Sequence, residues 1–118
     1  MKPTYFFGFI ILLSFVFLGS GCQKNDAPAQ HIAIVMKKYR IEPSVIRLRA
    51  GQPVALVVST ADVQHGFDVP DLGIKEPVQP GRPATIRFTP KNKGEYKISC
   101  GIICGPHHEE MTAKLVVE

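Results

Sequence analysis

Tyr96-Lys97-Ile98-Ser99-Cys100-Gly101-Ile102-Ile103-Cys104-Gly105-Pro106-His107-His108-Glu109-Glu110-Met111-Thr112-Ala113-Lys114-Leu115-Val116-Val117 runs almost to the end of the chain. Two strand candidates, Tyr96–Ser99 and Ala113–Val117, flank a connection that holds two thiols, two imidazoles and a thioether. A chain that spends its soft ligands on the link between two strands is building an end of a β-structure rather than a helix face.

Working outward, the rest follows the same pattern. His31–Met36 alternates, with Ile32, Ile34 and Met36 on one side, and Val45–Arg49 does likewise. Val54–Val58 is a continuous apolar run, as a buried strand requires. Phe67–Val69 and Thr85–Phe88 add two further strands. Turn signals separate them at Glu42-Pro43, Ala50-Gly51, Asp71–Gly73, Gln79-Pro80-Gly81 and Pro90–Gly94. The frequent prolines leave few windows for a long helix. About seven to eight short strands at this spacing read as an all-β sandwich. There is no internal repeat and no low-complexity segment.

The opening residues are of a different kind. Met1 and Lys2 lead into an apolar stretch from Tyr5 to Leu18. At about 14 residues it is short of the roughly 20 that a membrane-spanning helix needs, and it suits the apolar region of a secretory signal. Gly19-Ser20-Gly21 then precede Cys22, which resembles a bacterial lipoprotein signal, although Gly19 stands where Leu is usual and Leu18 lies one place further back. Residues 1–21 are accordingly expected to be a lipoprotein-type signal, 22–30 a lipidated Cys22 with a polar tether, and 31–118 the folded domain. An ordinary cleaved signal and a retained anchor helix are the competing readings. Export implies an oxidising compartment on the extracytoplasmic face of a bacterial envelope, and acyl chains on Cys22 imply membrane attachment.

Size and charge narrow the function. The chain has 118 residues, which after the leader is enough for one modest core and too little for a large enzyme scaffold. Net charge is +4, with Lys and Arg scattered rather than blocked, so nucleic acid is not an expected partner. Most Phe and Tyr lie in the leader, leaving Tyr39, Phe67, Phe88 and Tyr96 for the domain, and there is no Trp.

The chemistry concentrates in Cys100, Cys104, His107, His108 and Met111, joined by His65 from the segment Asp62-Val63-Gln64-His65-Gly66. Thiolate, imidazole and thioether together favour a soft or borderline metal. Copper uses all three, because Cu(I) prefers sulfur and Cu(II) accepts imidazole; zinc gains little from a methionine. Each residue also has a plainer reading. Cys100 and Cys104 are close enough in sequence for a disulfide. His65, His107 and His108 can be polar loop residues, Met111 can be core, and Glu109 and Glu110 read as solvated charges with no role assigned. The joint occurrence of the ligands weighs for metal. No Ser-His-Asp or paired-carboxylate arrangement stands out, and a fully ligated metal offers no open position, so an electron carrier is expected rather than an enzyme, with no small-molecule substrate.

The order Cys100, Cys104, His108, Met111 resembles the binuclear copper (CuA) motif shared by cytochrome c oxidase subunit II and nitrous oxide reductase. Asp62 through Pro70 is similar to the loop that supplies that family's first histidine, and Glu42-Pro43 through Gly51 to the cupredoxin opening. The resemblance covers roughly Tyr39 to Glu118 and implies a cupredoxin-like Greek-key β-sandwich. It further implies that Cys100 and Cys104 bridge two copper ions, that His65 and His108 each cap one, that Met111 is a weak axial ligand, and that Ile102 contributes its backbone carbonyl. Family members often carry Glu or Gln at that position, but a main-chain donor tolerates Ile. His107, next to the matching His108, is not an expected ligand. Ile102, Ile103 and Phe67 are candidates for an apolar surround.

The implied function is membrane-tethered electron transfer, alone or with a terminal oxidase, and the implied partner is a redox protein such as a c-type cytochrome or an oxidase subunit. Three departures bear on the partner. Subunit II normally brings two transmembrane helices where this chain has only the leader; nitrous oxide reductase brings a large catalytic domain; and the aromatic patch with Trp used for electron entry is missing its Trp. A mononuclear type 1 carrier, using Cys104, His108, Met111 and His65, and a copper-binding or delivery lipoprotein without an electron-transfer role are the alternatives.

Overall fold

The computed structural model describes residues 29–118, so the leader, Cys22 and most of the polar tether lie outside the described residues. The chain forms nine strands: β1 (Gln30–Lys37), β2 (Arg40–Glu42), β3 (Val45–Leu48), β4 (Val54–Thr60), β5 (His65–Val69), β6 (Ile74–Val78), β7 (Ala84–Phe88), β8 (Gly94–Cys100) and β9 (Thr112–Val117). They make a four-stranded sheet in the order β2-β1-β4-β7 and a five-stranded sheet in the order β3-β9-β8-β5-β6. Pairs β1/β4 and β3/β9 are parallel and the others antiparallel. The parallel pairs arise because the chain changes sheet between β2 and β3, β3 and β4, β4 and β5, β6 and β7, and β7 and β8. This is the all-β, cupredoxin-like sandwich that the resemblance implies.

The apolar patterns decide which faces meet. In β1, Ile34 and Met36 are buried while Ala33 is exposed. β3 alternates in the same way, with Ile46 and Leu48 inward and Val45 and Arg47 outward. The unbroken apolar run of β4 is central in its sheet, between β1 and β7. Facing it across the core lie Phe67, Ile98 and Leu115 of the second sheet, all fully buried. Burial of a side chain such as Phe67 or Leu56 contributes roughly 1.5–3 kcal/mol. At the far end, the Tyr96 hydroxyl donates to the Asn92 carbonyl at 2.8 Å and pins the turn entering β8.

The strand count exceeds the seven to eight expected, through β2 and β6. β2 is three residues long and β6 contains Lys75-Glu76-Pro77. Both are edge strands, recruited by the register of a neighbour rather than by their own apolar pattern. The predicted turns hold: Gly51, Gly73 and Gly81 adopt φ values of 79°, 66° and 72°, which favour glycine. Among the described residues no helix is long and apolar enough to cross a membrane.

Topology gathers three connections at one end of the sandwich. The register Met36↔Thr60 places the β1–β2 turn beside the β4–β5 loop. β5 begins and β8 ends there, so the β8–β9 connection belongs to the same end.

Candidate metal centre

Pairing of β5 with β8 puts Phe67 opposite Cys100 and Asp68 opposite Ser99. Side chains alternate along a strand, so His65, two residues before Phe67, shares the inward face with Cys100. Sequence alone suggests a loop position for His65. It is instead the first residue of β5 and is 0% exposed. Its Nδ1 lies 3.8 Å from Cys100 Sγ.

Beyond Cys100 the backbone turns across β5. The Gly101 N–H donates to the Gly66 carbonyl at 3.2 Å. A Cβ at Gly66 would stand 2.9 Å from the Ile102 nitrogen, so the crossing requires glycine. It brings the Ile102 carbonyl to 3.0 Å from Cys100 Sγ, whose S–H donates to it. Cys104 then returns its Sγ to 3.8 Å from Cys100 Sγ. Both cysteines are free thiols, their separation being far beyond the ~2.05 Å of a disulfide. The donor atoms of His65, Cys100 and Cys104 all lie within 4.8 Å of one another. Burial, and the nearby Cys100 thiol, push the Cys104 thiol pKa above its ordinary value.

Asp62 governs the electronic state of His65. Its Oδ1 is 2.7 Å from His65 Nε2. Its Oδ2 accepts from the Lys38 N–H at 2.7 Å, and its Oδ1 from the Val63 N–H at 2.6 Å. Partial burial opposes ionisation, but those two N–H groups and the His65 ring outweigh it and hold the carboxyl well below the usual range. An ionised carboxylate only accepts, so Nε2 carries the proton. In the neutral ring Nδ1 then has a free lone pair, directed toward the thiols. This is the carboxylate–histidine arrangement that orients metal-ligating imidazoles. Sequence alone assigns Asp62 no role; the available signal is an acid three residues before the histidine.

The two adjacent histidines separate. The His107 side chain is 58% exposed, with Nδ1 3.3 Å from Glu110 Oε1 and its ring edge-on to Tyr39. His108 opens a short 3-10 turn, His108–Glu110, and its Nδ1 is buried without a hydrogen-bond partner. His108 stands outside the group of three donors. Met111 is fully buried and belongs to the same core as Cys100. Of the expected apolar surround, Phe67 is buried and Ile102 is half-buried, but Ile103 is 81% exposed and takes no part in it. The loop turns Ile103 outward because its neighbour Ile102 crosses β5.

A buried imidazole nitrogen beside Cys100, two free thiols, a carbonyl beside one of them and an orphaned imidazole nitrogen are groups that a soft cation would satisfy. The donor set fits copper.

Comparison with known proteins agrees. The profile of the Cupredoxin-like domain matches residues 8–117. Cytochrome c oxidase subunit 2 of Thermus thermophilus is 34% identical over 95 residues, which are 80% of this chain and 70% of that protein. A second, longer subunit 2 sequence from the same species is also 34% identical, but the chain spans only 56% of its length. In structure, the periplasmic domain of subunit II of cytochrome oxidase from Bradyrhizobium japonicum superposes with a TM-score of 0.69 at 20% identity, over 75% of this chain and 83% of that domain.

Proposed function

Because the chain belongs to the cupredoxin-like family, with cytochrome c oxidase subunit 2 as its relative, we propose that it is a copper electron-transfer protein with a binuclear centre. In this reading Cys100 and Cys104 would hold the copper through their thiolates, His65 and His108 would each add an imidazole, Met111 a weaker thioether and Ile102 its carbonyl. Cys22 carries lipid and tethers the domain, across residues 22–30, to a membrane on the extracytoplasmic side of a bacterial envelope. The partner is a c-type cytochrome or a terminal oxidase subunit, and the protein turns over no substrate of its own.

The observation that carries the reading is the pair of unoxidised thiols 3.8 Å apart, with the His65 Nδ1 lone pair 3.8 Å from one of them. When bound, copper supplies a one-electron couple. The chain supplies the rest. Strands β5 and β8 hold His65 and Cys100 at fixed register, and Asp62 holds the His65 tautomer. Ligands held this way move little between oxidation states, and Phe67 and Cys100 are buried in the core beneath them. In a two-metal centre His65 and His108 would serve different ions, and His108 does lie outside the compact group of three.

That compact group also favours a second reading, a mononuclear carrier, since three donors within 4.8 Å can serve a single ion. Copper-to-protein ratio with visible and EPR spectra of the reconstituted full chain separates the two. Two coppers with hyperfine structure shared between both nuclei support the binuclear centre. One copper with a blue chromophore supports the mononuclear one. A colourless protein that takes up no copper after reduction of its thiols overturns both.

A further inference from the structure

The β1–β2 turn touches both ligand-bearing loops; Lys38 already holds Asp62, whereas Tyr39 has no role in the reading above. Register Met36↔Thr60 and Lys37↔Arg40 sets residues 38–39 beside the β4–β5 loop. On one side the Lys38 N–H donates to Asp62 Oδ2 at 2.7 Å, the carboxylate that also holds His65. On the other, Tyr39 reaches the β8–β9 connection. Its hydroxyl occupies the place a Cβ of Gly105 would take, and its ring carbons come within 3.2 Å of that position. Its ring also packs edge-on against His107, with centroids 5.2 Å apart and planes at 71°. Gly105 directly follows Cys104, and His107 directly precedes His108.

The stretch from Gly101 to His107 has no strand pairing of its own. Its first half is anchored on Gly66. Its second half, carrying Cys104 and leading to His108, meets Tyr39. Gly105 has φ +154°, a conformation that favours glycine, and the absent side chain is what admits the phenol.

We propose that Tyr39 is a positioning residue for the metal centre: it holds the Gly105–His107 segment, and through it Cys104 and His108, in register with the Asp62–His65 pair. The turn is thereby a strut joining the two halves of the ligand set. The inference rests on the copper reading for its purpose, though not for its geometry.

Two measurements on the full chain keep them apart. In the metal-free, reduced protein, amide exchange of His108, Glu110 and Met111, whose N–H groups donate to the carbonyls of Gly105, His107 and His108, is compared between wild type and Tyr39→Ala, with β4 amides as the folding control. Loss of an aromatic edge contact and its packing predicts about a tenfold rise in exchange, with Tyr39→Phe restoring most of the protection because the ring remains. In the copper-loaded protein, the rate of copper transfer to a Cu(I) chelator is expected to rise about tenfold in Tyr39→Ala and to return toward wild type in Tyr39→Phe. Should Tyr39→Ala fail to fold, Tyr39→Leu, which keeps apolar bulk but no ring edge, is read instead with the same expectation. Unchanged exchange at His108, Glu110 and Met111 in a folded Tyr39 variant overturns the proposal whatever the copper content. Wild-type protein that binds no copper, with exchange still raised in the variant, overturns the copper reading and leaves the strut standing.

Discussion

His65 Nε2 lies 2.7 Å from Asp62 Oδ1, and this one contact decides which nitrogen of a fully buried histidine is free. The carboxylate takes the Nε2 proton as a hydrogen bond, so Nδ1 faces Cys100 with its lone pair. Asp62 is itself held by the main chain of Lys38 and Val63.

Asp62→Ala should therefore weaken copper binding by about 10–100-fold, the usual cost of losing an outer partner of a ligating histidine. Competition against a Cu(I) chelator measures it. Asp62→Asn should lose less, because its amide oxygen still accepts from Nε2. Equal affinities for wild type and Asp62→Ala would show that His65 is no ligand or needs no orientation.

The two cysteines are not equivalent tests. Cys104→Ser should abolish the copper chromophore under either copper reading. Cys100→Ser should abolish or transform it only if the centre is binuclear, and visible and EPR spectra of both variants decide the matter. A Cys100→Ser protein with an unaltered spectrum is incompatible with bridging thiolates.

Met111→Leu is close to volume-conserving in a fully buried position, so it should cost less than about 1.5 kcal/mol in stability. Copper should stay bound while its reduction potential shifts, as expected on losing a weak axial ligand. Voltammetry alongside urea unfolding reads both, and an unmoved potential removes Met111 from the ligand set.

Gly66→Ala attacks the loop from beneath. Its new methyl would lie 2.9 Å from the Ile102 nitrogen and 3.0 Å from the Gly101 nitrogen, both backbone atoms that cannot swing aside. The variant should lose about 1–3 kcal/mol, as overpacking typically does, and its Ile102 carbonyl should leave Cys100. Thermal unfolding and copper titration check the two effects, and a variant with wild-type stability and copper affinity would count against so close a crossing.

In the metal-free protein the Cys104 thiol is held above its ordinary pKa, chiefly by burial and secondarily by Cys100. A folded-state pKa above the unfolded one means the fold retains the proton more firmly. The contribution is therefore fully present below the unfolded thiol pKa, about 8.5, and is lost as pH rises through the folded value. Urea midpoints in reductant should fall on that alkaline limb, and less so for Cys104→Ser. Parallel curves for the two proteins would refute the shift.

Much of the fold, and the thiol pair with its neighbouring loop, is legible in the sequence because the signals are local. The spacing of Cys100, Cys104, His108 and Met111 is a property of one loop, and the alternation in β1 and β3 and the apolar run of β4 report burial directly. The edge strands β2 and β6 are not legible, since pairing partners rather than composition hold them in place.

From sequence alone come the sandwich, the ligand types and the copper chemistry they favour, all set by residue identity and short-range periodicity. Only the tertiary structure decides that His65 is a buried strand residue, that Asp62 selects its tautomer, that Ile103 faces outward and that Tyr39 meets Gly105. Each of those depends on the register of strands distant in sequence, Phe67 against Cys100 and Met36 beside Thr60, and a register is fixed by how two apolar faces pack together.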